Sequence, residues 1–330
     1  MENLKYKAFI VEETHEKTFV HTVGEACTDD LPQGDVLVRV RYSSLNYKDA
    51  LSASGNRGVT RQYPHTPGID AAGIVEHSRA KEFKPGDPVI VTSYDLGMNT
   101  PGGFGQYIRV PGDWVVPLPQ NLSLEQSMIL GTAGFTAAMS VERLISGVTP
   151  DQGPILVTGA TGGVGSLACA ILVKLGYSVD AVSGKPDDGF LKSLGVKEII
   201  SRKIFLEKTA PPVLKPRWAG VVDTVGGEIL ATAIKSTGSW GIVTCCGNVA
   251  SPDLPINVFP FILRGVSLIG IDSQHCPMPL RQTLWKNLSA AWKPDQLENL
   301  CSRIGLDDLS PGIEKILKGQ LRGRTLVDMG

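Results

Sequence analysis

Gly159-Ala160-Thr161-Gly162-Gly163-Val164-Gly165 decides the fold of this chain. An apolar run, Pro154-Ile155-Leu156-Val157-Thr158, precedes it, and a helical pattern from Ser166 to Leu175 follows. Strand, glycine turn and helix in that order make a dinucleotide-binding crossover. The glycines let the backbone approach a pyrophosphate. The helix behind them offers unpaired N–H groups and the positive end of a dipole. Thr161, Gly162, Gly163 and Val164 are therefore the expected pyrophosphate contacts.

The next strand bears on which dinucleotide is taken. Val164, Leu167, Ala168, Ile171, Leu172 and Leu175 repeat at helical spacing. Gly176 caps the helix, and Tyr177 to Val182 reads as a buried strand. An NAD site usually carries Asp or Glu at the end of that strand, holding the ribose hydroxyls. Here the end reads Ser183-Gly184-Lys185. A hydroxyl, a glycine and a cation suit a 2′-phosphate, which points to NADPH. An ordinary polar turn is the competing reading. Asp180 lies inside the strand, too early to reach a ribose. Arg202, after the apolar run Val196 to Ile200, is a further candidate for the same phosphate.

Composition bounds the rest. The chain has 330 residues, 42% of them hydrophobic and 20% charged, with a net charge of -1. Two domains and a soluble globular enzyme are the expectation. No basic tract argues for nucleic acid or an anionic membrane. The N-terminal residues lack a signal core, and no apolar run reads as long enough to cross a bilayer. None of the six cysteines forms a Cys-x-x-Cys pair. Reduced thiols and a cytoplasmic location follow as expectations.

Short alternating runs fill residues 5–120: Val36 to Tyr42, Ala71 to Glu76, Pro88 to Ser93 and Gln106 to Val110. Turns such as Lys84-Pro85-Gly86-Asp87 separate them, which suggests a small β-barrel. Ser123-Leu124-Glu125-Gln126 is a capping box opening a long helix toward Leu144. Strands are then expected at Ile155–Thr158, Val179–Val182, Glu198–Ile200, Gly220–Thr224, Gly241–Cys245 and Ser267–Ile271. A helix at Pro311–Leu317 and a strand at Thr325–Val327 close the chain.

Several motifs occur in a fixed order. They are Ser44-Leu45-Asn46-Tyr47-Lys48-Asp49-Ala50, Pro67-Gly68-Ile69-Asp70-Ala71-Ala72-Gly73 and Gly131-Thr132-Ala133-Gly134-Phe135-Thr136-Ala137. The glycine turn, Trp218-Ala219-Gly220, Pro260-Phe261-Ile262-Leu263-Arg264-Gly265 and Gly323-Arg324-Thr325-Leu326-Val327 follow. With them the chain resembles, over essentially its full length, the zinc-free medium-chain dehydrogenase/reductase enzymes of the acryloyl-CoA reductase and quinone-oxidoreductase-like branch. The resemblance implies an α/β architecture. A GroES-like β-barrel domain (1–122 and 274–330) would be interrupted by a Rossmann-type doubly wound parallel sheet (123–273).

Zinc-dependent relatives carry Cys near position 46 and Gly-His-Glu where this chain has Gly68-Ile69-Asp70. They also carry a cysteine quartet, and no cysteine occurs here between Cys27 and Cys169. His65 and Asp70 alone do not make the three or four converging ligands that zinc takes. His65 reads as a loop residue near the cleft, and no metal is expected.

Without a Lewis acid, alcohol oxidation is handicapped, whereas an activated alkene needs none. Hydride added to the β-carbon of an α,β-unsaturated carbonyl leaves an enolate, which calls for donors to its oxygen and a proton for the α-carbon. The resemblance places Asn46 and Tyr47 at the cleft floor, Tyr47 also against the nicotinamide, with Asp70 orienting Asn46 or relaying a proton. The bland alternatives are that Asp49 and Asp70 cap turns and that Tyr47 only packs. Asn248, Ile262 and Ser273 are expected to frame the nicotinamide end. Arg324 is expected at cofactor phosphates or substrate, or else as a surface charge.

The expected activity is NADPH-dependent reduction of acryloyl-CoA or a similar enoyl thioester. A quinone or enone reductase is the alternative, and a non-catalytic NADPH-binding redox sensor is the alternative of another class. The last strand of the doubly wound sheet is apolar and expected at an edge, which suggests a homodimer.

Overall fold

The computed structural model describes residues 3–186 and 189–330. The chain divides into two compact units. One holds the residues up to Thr132 together with Gln274–Ser289 and Gln296–Gly330, the other Ala133–Ser273 and Ala290–Asp295. The division falls inside a helix, at Thr132/Ala133, rather than at residue 122 as expected.

The first unit opens with strands β1 (Lys5–Glu13) and β2 (Phe19–Cys27), then β3 (Val36–Ser44) and helix α1 (Tyr47–Ala53). Strands β4 (Asp70–Ser78), β5 (Pro88–Thr92), β6 (Tyr107–Val110) and β7 (Val115–Pro117) follow, then the long helix α2 (Leu124–Ile145). The hairpin β1–β2 was missed in the sequence because no residue of β2 is fully buried and the strand carries no clean alternation.

The second unit contains β8 (Ile155–Thr158), α3 (Gly163–Lys174), β9 (Val179–Ser183), α4 (Phe190–Ser193), β10 (Glu198–Ser201) and α5 (Arg202–Phe205). Then come β11 (Trp218–Asp223), α6 (Gly227–Lys235), β12 (Thr237–Cys245), α7 (Phe259–Arg264) and β13 (Ser267–Gly270). These six strands lie in the order β10-β9-β8-β11-β12-β13, all parallel. That is the doubly wound sheet expected, with β13 at an edge. Leu156, Val182, Val221, Val225, Ile229, Ile234 and Val243 pack in its core.

The chain returns to the first unit through α8 (Met278–Leu288), β14 (Cys301–Gly305), α9 (Leu309–Leu317) and β15 (Arg324–Asp328). The sheet there runs β14-β15-β3-β4-β5-β7, with β6 also on β3. Phe9, Val38, Val40, Leu45, Val91, Phe104, Ile108 and Val327 share one core. Burying each such side chain contributes roughly 1.5–3 kcal/mol.

Two sequence readings need correction. Helix α2 is apolar and long enough to cross a membrane by composition, with a mean hydropathy of 1.2, contrary to the reading that no such run exists. It is instead a core helix, 78% buried over that window. His65 is no open loop residue: it is buried, and its backbone exchanges two hydrogen bonds with Val11 of β1. Burial lowers the pKa of its imidazole. All six cysteines are free thiols.

Candidate functional site

The centre of the first unit is a buried carboxylate. Asp70 opens β4 and has no exposed surface. Its Oδ2 accepts from Ser44 Oγ at 2.6 Å and from Asn46 Nδ2 at 2.8 Å. Its Oδ1 accepts from Thr132 Oγ1 at 2.6 Å, and the Thr132 amide donates to both oxygens at 2.9 and 3.0 Å. Nη2 of Arg324, on β15, stands 3.9 Å from Oδ2. A buried carboxylate survives only when it is paired and hydrogen-bonded in this way.

Gly131 lets these groups meet. It interrupts α2 with φ 51° and ψ -157°. A Cβ there would fall 2.6 Å from Asp70 Oδ2, 2.6 Å from Ser44 Oγ and 2.9 Å from Arg324 Nη2. Only glycine combines that backbone with that proximity.

Asn46 is locked by the same cluster. Its amide nitrogen donates to Asp70 and, at 3.2 Å, to the Ser44 carbonyl. Its Oδ1 accepts from Arg324 Nη1 at 3.2 Å. Both amide hydrogens are thus engaged, which corrects the reading of Asn46 as a free donor to substrate. Asp70 accepts from Asn46 and so orients it, and every hydrogen bond at its carboxylate is one it accepts. Arg324 is neither a surface charge nor presented to a phosphate. It is buried, and its Nε donates to Ile129 O at 2.8 Å. Desolvation lowers its pKa, and Asp70 opposes that shift.

Asp49 behaves as the bland reading had it. Its carboxylate accepts from Asn46 N at 2.7 Å and Ile69 N at 2.8 Å, tying the two loops together. Burial, with the Asp70 charge adding to it, pushes its pKa up to about 7. Tyr47 differs from its neighbours. It begins α1, is 37% exposed, and its hydroxyl has no hydrogen-bond partner among the described residues. Ser44, Gly131 and Thr132 all stood inside motifs visible in the sequence, yet nothing in spacing showed that they converge on Asp70.

In the second unit the glycine turn has the expected form. Gly162 precedes α3, and Gly163 and Val164 open it. Gly159 has φ 60°, and a Cβ on Gly165 would meet the Gly159 carbonyl at 2.4 Å. Thr161 is buried beside the turn. At the end of β9 the Ser183 hydroxyl accepts from Lys185 N and donates to Lys185 O, both at 3.0 Å. Its single proton is used within its own turn, so the polar-turn reading describes Ser183. Exposed Arg202 lies against Gly184, its guanidinium 2.6–3.1 Å from where a Cβ would stand. Asp180 has a role the sequence did not reveal: its Oδ2 accepts from the Trp218 indole at 2.9 Å, across the intervening β8. Asn248 is exposed in the loop after β12, and Ser273 is half-buried after β13. Ile262 is 68% exposed on α7, the helix that leads into the sheet edge.

Among the described residues no group of three or more His, Cys, Asp or Glu converges as a metal site. The donor set at Asp70 and Asn46 is one carboxylate and one amide, both already engaged by hydrogen-bond donors.

Residues 32–120 match the alcohol dehydrogenase GroES-like domain, and residues 163–290 match the domain named zinc-binding dehydrogenase. YhfP of Bacillus subtilis, which carries the name of a quinone oxidoreductase, is 45% identical over 98% of this chain and 99% of its own. The acrylyl-CoA reductase AcuI of Ruegeria pomeroyi is 43% identical over the same shares. The crystal structure of YhfP with NAD bound superposes with a TM-score of 0.95 at 43% identity, covering 98% of this chain and 99% of that one. The YhdH oxidoreductase of Salmonella enterica, in complex with NADP, also gives 0.95, at 42% identity, covering 98% of this chain and all of that one. The order of motifs, the two-unit architecture and these full-length similarities agree: the chain belongs to the medium-chain dehydrogenase/reductase family of oxidoreductases, in its zinc-free branch.

Proposed function

We propose that the protein uses NADPH to reduce the carbon–carbon double bond of an α,β-unsaturated carbonyl compound, with acryloyl-CoA, converted to propanoyl-CoA, as substrate. The observation that carries this reading is the saturated Asp70 carboxylate. Where alcohol chemistry would need a metal-bound oxygen, this chain holds a closed hydrogen-bond cluster, so the acceptor suited to it is one that needs no Lewis acid.

The cofactor residues fit NADPH. Arg202, exposed and laid over Gly184 at the end of β9, suits a 2′-phosphate, and the Gly159–Gly165 turn at the start of α3 suits a pyrophosphate. When bound, NADPH supplies the hydride that adds to the β-carbon. The chain's own residues do the rest. Tyr47 offers the unengaged hydroxyl and bonds the carbonyl oxygen as negative charge gathers there. Asp70 and Arg324 hold Asn46, and with it the loop from which Tyr47 projects. The α-carbon then takes one proton from water, which balances the reaction.

The identity to AcuI supports an enoyl thioester, and the comparable identity to YhfP favours a quinone or simple enone as the second reading. NADPH consumption with acryloyl-CoA, a quinone and a simple enone decides between them. Oxidation with acryloyl-CoA far above the others supports the first reading. A preference for quinone establishes the second. Absence of turnover with all three leaves a cofactor-binding sensor.

A further inference from the structure

Ser93 and Tyr94 are consecutive left-handed residues, with φ of 66° and 51°. Among the described residues no other non-glycine residues adopt this conformation side by side. A tyrosine is sterically penalised there and stays only if its surroundings hold it.

They hold it firmly. β5 ends at Thr92, in register with Asp70, so the pair leaves the sheet beside the carboxylate cluster. Ser93 N donates to Ile69 O at 2.8 Å. Ser93 Oγ lies 3.1 Å from Thr132 Oγ1, whose own proton goes to Asp70, so Ser93 is the donor. Arg281 on α8 is wholly buried and donates to the carbonyl and the hydroxyl of Thr92, at 3.1 and 3.0 Å. Its guanidinium carbon stands 4.4 Å from the centre of the Tyr94 ring. The Trp114 indole stacks on the same ring at 5.3 Å and 7°. Arg281 and Trp114 thus fix the ring, and the Tyr94 side chain also accepts a hydrogen bond from the Arg281 guanidinium, which leaves the hydroxyl its own proton to donate. Gln274 links this ensemble to α1: its carbonyl accepts from Arg281 at 3.4 Å, and its side-chain oxygen accepts from Lys48, the residue after Tyr47, at 2.8 Å.

We propose that Tyr94 is a catalytic residue whose hydroxyl, backed by the buried Arg281 cation, donates to the carbonyl oxygen of the unsaturated substrate as it becomes an enolate. This rests on the alkene reduction proposed above. Hydride forms the new C–H bond at the β-carbon, and the π pair moves toward the carbonyl oxygen. The enolate then collapses as the α-carbon takes a proton from water, and bound NADPH would supply the two electrons as hydride. Tyr94 keeps its proton throughout, so its bond is strongest where the oxygen is most negative. The adjacent cation favours that charge, and the pinned ring needs no reorganisation.

Tyr94→Phe retains the ring between Arg281 and Trp114 and removes only the hydroxyl. With NADPH and acryloyl-CoA, turnover should fall about a hundredfold, with melting temperature, NADPH affinity and propanoyl-CoA affinity unchanged. A second variant, with 3-fluorotyrosine at position 94, introduces a more acidic phenol of nearly the same size. Its alkaline loss of turnover should move to lower pH. Unchanged turnover in the phenylalanine variant, or an unmoved pH profile in the fluorinated one, overturns the proposal while the reaction stands. A wild-type protein that oxidises NADPH with no activated alkene overturns the reaction reading and this role with it.

Discussion

Asn46 donates its side-chain amide to Asp70 Oδ2 across 2.8 Å, and this bond separates the work of Asn46 from that of Tyr47. Asn46 acts by holding a loop, and Tyr47, next in sequence, carries the open hydroxyl. Tyr47→Phe is therefore expected to lower turnover about 10²–10³-fold with little change in NADPH affinity. Asn46→Ala should lower thermal stability as well as turnover, because it leaves Asp70 and Arg324 each short of a buried partner. Steady-state kinetics beside thermal melts test the split. An Asn46→Ala protein as stable as wild type but slow would return Asn46 to substrate contact.

Gly131→Ala is expected to be severe. The new methyl would stand 2.6 Å from two oxygens of the cluster, on a backbone with positive φ. A loss of about 3 kcal/mol or more in unfolding free energy is the expected scale for strain combined with a broken buried network. Denaturant titration measures it, and a loss below 1 kcal/mol would show that the cluster tolerates repacking.

The Asp49 carboxyl gives a pH signature. Its folded-state pKa, raised to about 7, lies above that of an exposed aspartate, so the native state binds the extra proton between about pH 4 and 7. Its contribution to stability is therefore full below that window and declines as pH rises through it. Asp49→Asn has no proton to lose. The melting temperature of wild type relative to this variant should fall from pH 4 to pH 7. A constant difference across that range would contradict the raised pKa.

Cofactor choice is expected to lie with Arg202. Arg202→Ala should weaken NADPH binding roughly 10–100-fold, the scale of one charge-assisted contact to phosphate, and leave NADH nearly unchanged. Lys185→Ala tests the neighbouring cation in the same fluorescence titration. Equal affinities of the wild type for the two cofactors would remove the 2′-phosphate from the account.

The edge of the parallel sheet is expected to pair with a second copy. β13 ends the strand order, and Trp240, Val258, Ile262, Leu263 and Leu268 are exposed apolar residues on or near it. An open apolar edge is a template for another strand. Light scattering should give a dimer at micromolar concentration, and Leu268→Lys should shift it to monomer. A monomeric wild type would contradict the pairing.

The second unit was more legible in sequence than the first. Its inner strands β8 and β9 are buried on both faces and read as apolar runs punctuated by glycine, so their starts at Ile155 and Val179 matched to the residue. The hairpin β1–β2 and helix α1 escaped, being short or half-exposed. Asp70 and Asn46 were found because the motifs that hold them resemble those of the family at its cleft, not because of any local spacing. The roles of Ser44, Thr132 and Arg324 were not legible, because hydrogen bonds between residues far apart in sequence leave no periodic trace. Asp180 illustrates the same limit: its partner, Trp218, lies two strands away in the sheet.

The order of synthesis follows from where Arg324 sits. Its bond to Asn46 spans 278 residues, and the whole parallel-sheet unit is threaded between the two. Closing so long a loop adds only a logarithmic entropy cost, but it fixes a sequence of events on the ribosome. While residues up to 323 emerge, Ser44, Asn46 and Thr132 have been made but the cation opposite them has not. The emerging β-sheet must therefore wait with its carboxylate short of positive charge until β15 arrives and docks against β3. A mutation that slows translation of the inserted unit would lengthen that wait. Its damage would then appear as nascent chains lost to proteases, in a region of the protein that the mutation never touches.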